Sequence, residues 1–242
     1  AKAFEWYSKA ASQGHVYAQN VVGTKYVKGL GVTQSNIQAF EWFSKAAAQG
    51  NEDAQNNLGT MYSDAQGITK DKVKAFEWYG KAAAQGHVDA QYNLGVMYER
   101  GEGVAQSYAK AVEWYSKAAT QGDSYAQNNL GVMYSKGLGV TQNDAKAFEW
   151  YSKAASHGHV YAQNTIGGKY QKGLGVTQSN VKTFEWYSKA AAQGDAYAQY
   201  NLAEMYKSGL GVTQSNAKAF EWYGKAADQG HAQAKLMLAR LQ

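Results

Sequence analysis

The feature that most constrains this chain is an eleven-residue segment, residues 145–155, that recurs at a fixed interval. Its other copies begin at residues 1, 37, 73, 109, 181 and 217, so the interval is 36 residues each time. Every copy contains one of the seven tryptophans. A fixed period of this size indicates stacked small units rather than one conventional globular core. We therefore predict that residues 1–242 form a single array of six full 36-residue periods and a partial C-terminal one.

Each period contains two segments with the hydrophobic spacing of amphipathic helices. The first segment, which we name the back helix, has Phe148, Trp150 and Tyr151 on one stripe in its fifth copy. The second segment, the front helix, is typified by residues 125–134 and packs through Leu130 and Met133. Neither helix can bury its stripe alone, and stacking supplies the missing surface. We predict an all-α solenoid of about fourteen helices without strands.

Capping residues and glycines mark the helix ends. A helix-capping side chain precedes every back helix but the first: Ser35, Asp71, Ser107, Asn143, Ser179 and Ser215. Ala1 has no such cap, so we expect the natural chain to begin upstream of it. Glycines that suit a left-handed conformation end the back helices: Gly14, Gly50, Gly86, Gly122, Gly158, Gly194 and Gly230. Other glycines lie inside front helices, where they predict close approach by a neighbouring helix: Gly23, Gly59, Gly95, Gly131 and Gly167.

Composition excludes several classes of function. The chain has no cysteine, which rules out disulfides and thiolate metal sites and leaves the compartment open between periplasmic or secreted and cytoplasmic. The net charge of +5 is spread over all repeats, which argues against a nucleic-acid partner. No segment approaches the roughly 18 apolar residues that a membrane span needs, so we expect no membrane insertion.

The candidate binding residues form a second stripe on the front helix. In the fourth period this stripe contains Tyr125, Asn128 and Asn129, which helical geometry places on one face. Asparagine can pair with the main chain of a bound peptide, and tyrosine adds rigid contact area. The predicted set is Asn20, Asn57, Tyr92, Asn93, Tyr125, Asn128, Asn129, Tyr161, Asn164, Tyr197, Tyr200 and Asn201. The alternative is that exposed positions drift and the asparagines hydrogen-bond between neighbouring helices.

Variation between repeats supports a binding surface on this stripe. The back-helix core barely changes along the chain, whereas the position of Tyr125 does. In chain order that position is Tyr17, Asp53, Asp89, Tyr125, Tyr161, Tyr197 and Gln233. Packing constrains the scaffold positions, while a binding surface is free to diversify.

Other motifs carry less chemistry. His157 and His159 invite a metal interpretation but have no third ligand nearby in sequence, so we expect no metal and no cofactor. We interpret the histidines His15, His87 and His231 as solvated turn residues. In the loop that ends each repeat, we expect Leu138 and Val140 to pack under the neighbouring repeat. No acid and base pair has catalytic spacing. The tryptophans are expected to be buried packing residues rather than a ligand cage.

The recurring motif resembles a known family. The pattern Ala-x-x-x-Leu-Gly-x-x-Tyr-x-x-Gly-x-Gly-Val, followed by Ala-x-x-Trp-Tyr-x-Lys-Ala-Ala-x-x-Gly, is similar to the Sel-one-like repeat, a relative of the tetratricopeptide repeat. Departures are small: Val112 stands for Phe, Phe43 for Tyr, and Val22 and Ile166 for Leu. The resemblance implies a right-handed α/α superhelical solenoid of bacterial type whose front helices line a concave face.

The resemblance also implies a function. We predict a non-catalytic adaptor, monomeric, that binds a protein or peptide through the Tyr and Asn residues of the concave face. The alternatives are an immunity or inhibitor protein that clamps a toxin or enzyme and, more remotely, a hydrolase-type enzyme. Cysteine-rich members of the family have been linked to β-lactam binding, but this chain lacks their cysteines.

Overall fold

The computed structural model describes residues 2–241, and this range contains fourteen α-helices and no strand. The back helices are α1 (Lys2–Ser12), α3 (Asn36–Ala48), α5 (Lys72–Ala84), α7 (Tyr108–Thr120), α9 (Asp144–Ser156), α11 (Asn180–Ala192) and α13 (Asn216–Asp228). The front helices are α2 (Val16–Lys28), α4 (Glu52–Asp64), α6 (Val88–Arg100), α8 (Ser124–Lys136), α10 (Val160–Lys172), α12 (Ala196–Ser208) and α14 (Ala232–Leu241). The predicted all-α repeat class and its helix number are confirmed.

The chain divides into two compact units, residues 1–121 and residues 122–242. The N-terminal unit contains α1–α7 and the C-terminal unit contains α8–α14. Within each unit, front and back helices alternate and pack on their neighbours along the chain. The continuity of one array over all 242 residues stays a prediction.

Both ends of the back helices follow the sequence-based expectations. Each predicted cap accepts a hydrogen bond from the backbone N–H three residues later, as Ser35 does from Gln38. The glycines after these helices have φ between 85 and 101°, and a Cβ there would meet open space. Backbone conformation alone therefore explains these glycines. The expectation about Ala1 concerns a residue outside the described range.

The front-helix glycines make the predicted close approach. A Cβ on Gly59 of α4 would lie 2.6 Å from the Tyr79 ring of α5, and one on Gly131 would lie 2.7 Å from the Tyr151 ring. In each case a buried ring of the following back helix packs directly against the glycine of the preceding front helix. This contact joins one repeat to the next. In α12 the position is the buried Ala203.

Trp42, Trp78, Trp114, Trp186 and Trp222 join neighbouring repeats. Apart from the exposed Trp6, the tryptophans are half-buried rather than buried as expected. Trp78 packs on the core of α3 and α4, and Trp186 packs on the core of α9 and α10. The lysine three residues after each tryptophan lies over its ring, with Nζ 3.9–4.8 Å from the ring centroid. Each ring is therefore shielded on the solvent side by the lysine of its own helix.

The loop residues do not behave alike. The valine or isoleucine of the loop packs against the core, as Val104, Val212 and Ile68 do. The loop leucines Leu30 and Leu210 are exposed, so the expectation that leucine packs beneath the neighbouring repeat is wrong there. The second loop glycine lies against the start of the same repeat's back helix, where a Cβ on Gly67 would lie 2.6 Å from the Cβ of Asn36. At Gly211 a Cβ would collide with the Asn180 carbonyl oxygen in the same way, and the adjacent Leu210 is exposed.

Buried glutamines form a ladder that the sequence analysis missed. Gln19 Nε2 donates to the Ala11 carbonyl, and Gln19 Oε1 accepts from Gln49 Nε2 of the next repeat at 2.8 Å. The same pair recurs between Gln55 and Gln85. Further copies are Gln91 with Gln121, Gln163 with Gln193, and Gln199 with Gln229. The ladder satisfies buried polar atoms while it links consecutive repeats.

A first prediction compares two helical glycines. We expect Gly59→Ala to destabilise the protein by about 1–3 kcal/mol, because the new methyl group would collide with the Tyr79 ring. Gly80→Ala is the matched control, since a Cβ there meets nothing within 4 Å. It should stabilise α5 by about 0.5–1 kcal/mol through helix propensity alone. Denaturant unfolding measures both, and stabilisation by Gly59→Ala would contradict the close approach.

A second prediction concerns a buried charge. Lys169 of α10 is 6% exposed and its Nζ lies 3.0 Å from Asp144 Oδ1. Other front helices have methionine at this position, as in Met97, Met133 and Met205. We expect Lys169→Met to be neutral or stabilising by about 1–4 kcal/mol, because it removes a desolvated charge.

Asp144→Ala is the complementary variant, since it leaves the Lys169 charge without its partner. It should destabilise by up to about 3 kcal/mol, because Asp144 itself is partly exposed. The measurement is the free energy of unfolding of both variants, by heat or denaturant, compared with the wild type. Destabilisation by Lys169→Met would show that the ion pair stabilises the fold.

A third prediction concerns alkaline pH. Burial raises the pKa of Tyr79 to about 12, against the opposing hydrogen bond with Thr60. The unfolded chain therefore loses this proton first, near pH 10, and the free energy of unfolding falls between pH 10 and about 12. Tyr79→Phe should reduce that slope by up to about 1.4 kcal/mol per pH unit. Phe43 already occupies this position in α3, and an unchanged slope would contradict the assignment.

Candidate functional site

The structure places all twelve predicted residues on front helices, from α2 to α12, and divides them by exposure. Tyr125, Tyr161 and Tyr197 are 60%, 57% and 66% exposed. Asn20 and Asn128 are only 8% exposed. The remaining residues are partly buried: Asn57, Tyr92, Asn93, Asn129, Asn164, Tyr200 and Asn201. The predicted stripe is thus a row of exposed tyrosines beside a partly covered band of amides.

Several of the asparagines bridge neighbouring front helices. Asn57 Nδ2 donates to Asn20 Oδ1 at 3.3 Å, and Asn201 Nδ2 donates to Asn164 Oδ1 at the same distance. The alternative interpretation of these amides therefore applies to four of the predicted residues. Asn128 Nδ2 donates to the adjacent Asn129, and Asn128 Oδ1 is buried without a partner. The amides hold front helices side by side, which fixes the spacing of the surface.

We name the three exposed tyrosines Tyr125, Tyr161 and Tyr197 the tyrosine row. All three belong to the C-terminal unit and occupy the same position of α8, α10 and α12. In the N-terminal unit the same position is Tyr17, Asp53 and Asp89. Asp53 Oδ1 lies 3.3 Å from His87 Nε2. Carboxylates therefore occupy two of the three equivalent positions of the N-terminal unit, and tyrosines occupy the first three equivalent positions of the C-terminal unit.

Four histidines cap front helices, a role that the interpretation of His15, His87 and His231 as solvated turn residues did not include; His15 is exposed as expected, whereas His87 and His231 are partly buried. In these three and in His159, Nδ1 accepts from the backbone N–H three residues later at 3.2–3.4 Å. Asn51, Asp123 and Asp195 occupy the same position and make the same cap. That shared position is the sequence signal that would have identified the histidines as caps.

Two capping histidines contact the tyrosine row. The His159 ring lies edge-on to Tyr125 at 5.0 Å between centroids, and the His231 ring lies edge-on to Tyr197 at 5.1 Å. His231 also stacks on Tyr200 at 4.7 Å. Burial lowers the pKa of His159, while the nearby Asp123 opposes that shift. Burial raises the pKa of the Tyr200 hydroxyl, and the Glu204 carboxylate adds to that effect.

Two open cavities follow this row. The first, of about 430 Å³, is lined by Ser124, Tyr125, His157, Gly158, His159, Val160, Tyr161 and Gln193. The second, of about 550 Å³, is lined by Tyr197, Tyr200, Asn201, Gly230, His231, Ala232 and Gln233. Neither lining contains a lysine, an arginine or a carboxylate.

The histidine pair that invited a metal interpretation has structural roles. His157 Nδ1 lies 3.0 Å from Gln127 Oε1, so His157 takes the place of the second glutamine in this copy of the ladder. His159 caps α10. Within residues 2–241 no group of three or more His, Cys, Asp or Glu side chains could hold a metal ion. In the same range, no helix is both long enough and apolar enough to cross a bilayer.

The chain is similar to solved proteins. A crystal structure of a protective antigen of uropathogenic Escherichia coli, which has an SLR fold, matches with a TM-score of 0.96 and 41% identity. The match covers 99% of this chain and 51% of that one, so this chain spans about half the length of that protein. A Sel1 repeat protein from Oxalobacter formigenes matches with a TM-score of 0.88 and 38% identity, over 98% of this chain and 69% of that one. These matches confirm the solenoid fold.

An immunity protein of Pseudomonas aeruginosa matches with a TM-score of 0.50 and 23% identity, over 79% of this chain and 73% of that one. That likeness concerns the fold alone. A search of curated proteins found no match. The family model described as Sel1 repeat matches residues 1–15, 16–51, 52–87, 88–123, 124–159, 160–195 and 196–231. The family resemblance is thereby confirmed, and the chain belongs to the Sel1 repeat family.

Proposed function

We propose that this chain is a non-catalytic scaffold that binds a protein or peptide on its front-helix surface, with the tyrosine row as the main contact. Sel1 repeats are protein-interaction scaffolds. The observation that carries the proposal is the recurrence of a tyrosine more than half exposed at one position of three consecutive front helices. Single exposed aromatic residues are ordinary, but an aligned series marks an interaction surface.

The chemistry of the row supports this choice. Tyrosine is enriched at the energetic centres of interfaces, because a rigid ring contributes contact area with little entropy to lose. The capping histidines His159 and His231 hold two of the rings edge-on, and the Asn164–Asn201 bond fixes α10 beside α12. A pre-organised surface binds with a smaller ordering cost than a mobile one. The partly exposed Asn129 adds a polar group beside Tyr125.

The test is affinity capture from a lysate of the source organism, analysed by mass spectrometry. The baits are the wild-type chain and a triple variant, Tyr125→Ala, Tyr161→Ala and Tyr197→Ala. A second triple variant, Ile37→Ala, Val73→Ala and Val181→Ala, removes equally exposed apolar side chains from the back helices and serves as the control. Because all six side chains are exposed, we expect both variants to melt within a few degrees of wild type.

We expect at least one protein to be retained by the wild type and by the back-helix control but lost by the tyrosine variant. Its recovery should fall at least tenfold, which corresponds to about 1.4 kcal/mol of binding free energy. Equal recovery by all three baits would overturn the assignment of the row. Loss on the control variant alone would move the binding surface to the back helices.

A further inference from the structure

We propose that acidification opens the first turn of α10 and of α14 and thereby weakens partner binding at the tyrosine row. The sensors are His159 and His231, which cap these two helices and also contact tyrosines of the row. This proposal rests on the proposed function and specifies how its surface is regulated.

The caps of the front helices alternate between two chemistries along the chain. Histidine caps α2, α6, α10 and α14, whereas asparagine or aspartate caps α4, α8 and α12. Each cap accepts a hydrogen bond from the backbone N–H of an alanine three residues later: Ala18, Ala54, Ala90, Ala126, Ala162, Ala198 and Ala234. The same bond is therefore made by a titrating ring in one repeat and by an amide or a carboxylate in the next.

Only the neutral imidazole can make this bond. Nδ1 of His159 accepts from the Ala162 N–H at 3.2 Å, so the proton of the neutral ring is on Nε2. Protonation converts Nδ1 from an acceptor into a donor, and the Ala162 N–H then loses its partner. It also places a positive charge at the N-terminal end of a helix, where the helix dipole disfavours cations. Both effects destabilise the first turn of α10.

The other caps keep their acceptors over the range in which histidine titrates. Asparagine has no titrating group, and carboxyl groups ordinarily titrate about 2.6 pH units below imidazole. Acidification from about pH 7.5 to about pH 5 therefore removes the histidine caps and leaves those of α4, α8 and α12 in place. The chain thus contains acid-sensitive and acid-resistant copies of one structural unit.

The groups around His159 set the pH at which its cap is lost. Burial lowers the pKa of His159, and the Asp123 carboxylate before α8 opposes that shift. Tyr125, Tyr161 and a second imidazole, His157, line the same cavity. Since the unfolded chain binds this proton more readily than the folded one, the free energy of unfolding falls as the pH drops through about 6.5.

The His231 ring lies against α12. It is edge-on to Tyr197 at 5.1 Å and stacked on Tyr200 at 4.7 Å between ring centroids. The charged residues on the surrounding elements are Asp195 before α12, Glu204 of α12, Asp228 of α13 and Lys235 of α14 itself. Protonation of His231 would therefore add a charge directly beside two aromatic rings of the surface.

Loss of these two caps changes the tyrosine row in two ways. Tyr161 is the second residue of α10, so it lies in the turn that His159 caps. Tyr125 and Tyr197 lie in turns that aspartates cap, but their rings contact His159 and His231. All three tyrosines are thus held by a histidine cap, directly or through a ring contact. Because a mobile surface has a larger ordering cost on binding, acid should weaken the interaction.

The test is an NMR titration of the full chain, with isotope-labelled alanine, from about pH 7.5 to about pH 5. We expect the Ala162 amide to follow a one-proton curve with its midpoint below about 6.5, because burial lowers the pKa of His159. The amides of Ala126 and Ala198, which donate to aspartates, should change at least fivefold less.

His159→Asn is the matched variant, because the chain itself uses Asn51 as the cap of α4. It should keep the cap of α10, abolish the titration of the Ala162 amide and leave in place that of Ala234, which donates to His231. A pH-independent Ala162 amide in the wild type would overturn the switch. An equal change at Ala126, or a titration of Ala162 that persists in His159→Asn, would also overturn it.

The second arm measures binding, with the capture experiment repeated at about pH 7.5 and at about pH 5.5. The baits are the wild type and the double variant His159→Asn with His231→Asn, each compared with its own recovery at the higher pH. For a partner that the triple tyrosine variant loses, we expect acid to reduce wild-type recovery at least fivefold and double-variant recovery less than twofold. Titration of the partner itself affects both baits alike, so an equal fall in both would overturn the link between the caps and binding.

Failure of the scaffold function is distinguishable from failure of the switch. The scaffold function fails if the wild type and the triple tyrosine variant recover the same proteins at neutral pH. The amide titration does not depend on a partner, so it tests the caps in either case. Failure of the switch in either arm leaves the proposed scaffold function standing.

Discussion

The rest of this structure depends on one repeated contact. In it, an aromatic ring of a back helix packs against a glycine of the preceding front helix. At Gly59 and Gly131 the ring lies so close that even a methyl group would collide with it. This approach brings consecutive repeats into register and allows the buried Gln55–Gln85 type of bond to form across the same junction. A junction of this kind combines close packing with satisfied polar atoms, so stability is set between nearest neighbours.

Register at the junctions determines what the surface can do. Because front helices are placed by similar contacts, side chains at one position of the repeat recur as a regular series, as Tyr125, Tyr161 and Tyr197 do. The amide bond between Asn164 and Asn201 and the histidine caps then limit movement within that series. The scaffold is thus uniform where it packs and variable where it is exposed, and function can change by substitution at the surface without altering the fold.

Much of the fold could be predicted from the sequence, because the period, the capping residues such as Ser35 and the glycines such as Gly59 each have one physical interpretation. The contacts of the surface residues were harder to predict from the sequence. Asparagine suits both a ligand and a neighbouring helix, and only coordinates show that Asn20 accepts from Asn57. The histidine caps and the glutamine ladder were missed because a polar residue in a repeat does not indicate which partner it meets in the next one. The buried Lys169 was hidden for the same reason, since its partner Asp144 lies on another helix.

The half-buried tryptophans have a consequence for measurement. Trp42, Trp78, Trp114, Trp186 and Trp222 each pack at the junction with the preceding repeat, under a lysine of the same helix. The chain therefore contains a natural optical reporter at each of these junctions. A set of single-tryptophan chains, with tyrosine at the other positions, would resolve the order in which the repeats separate, which a global melting curve averages into one transition.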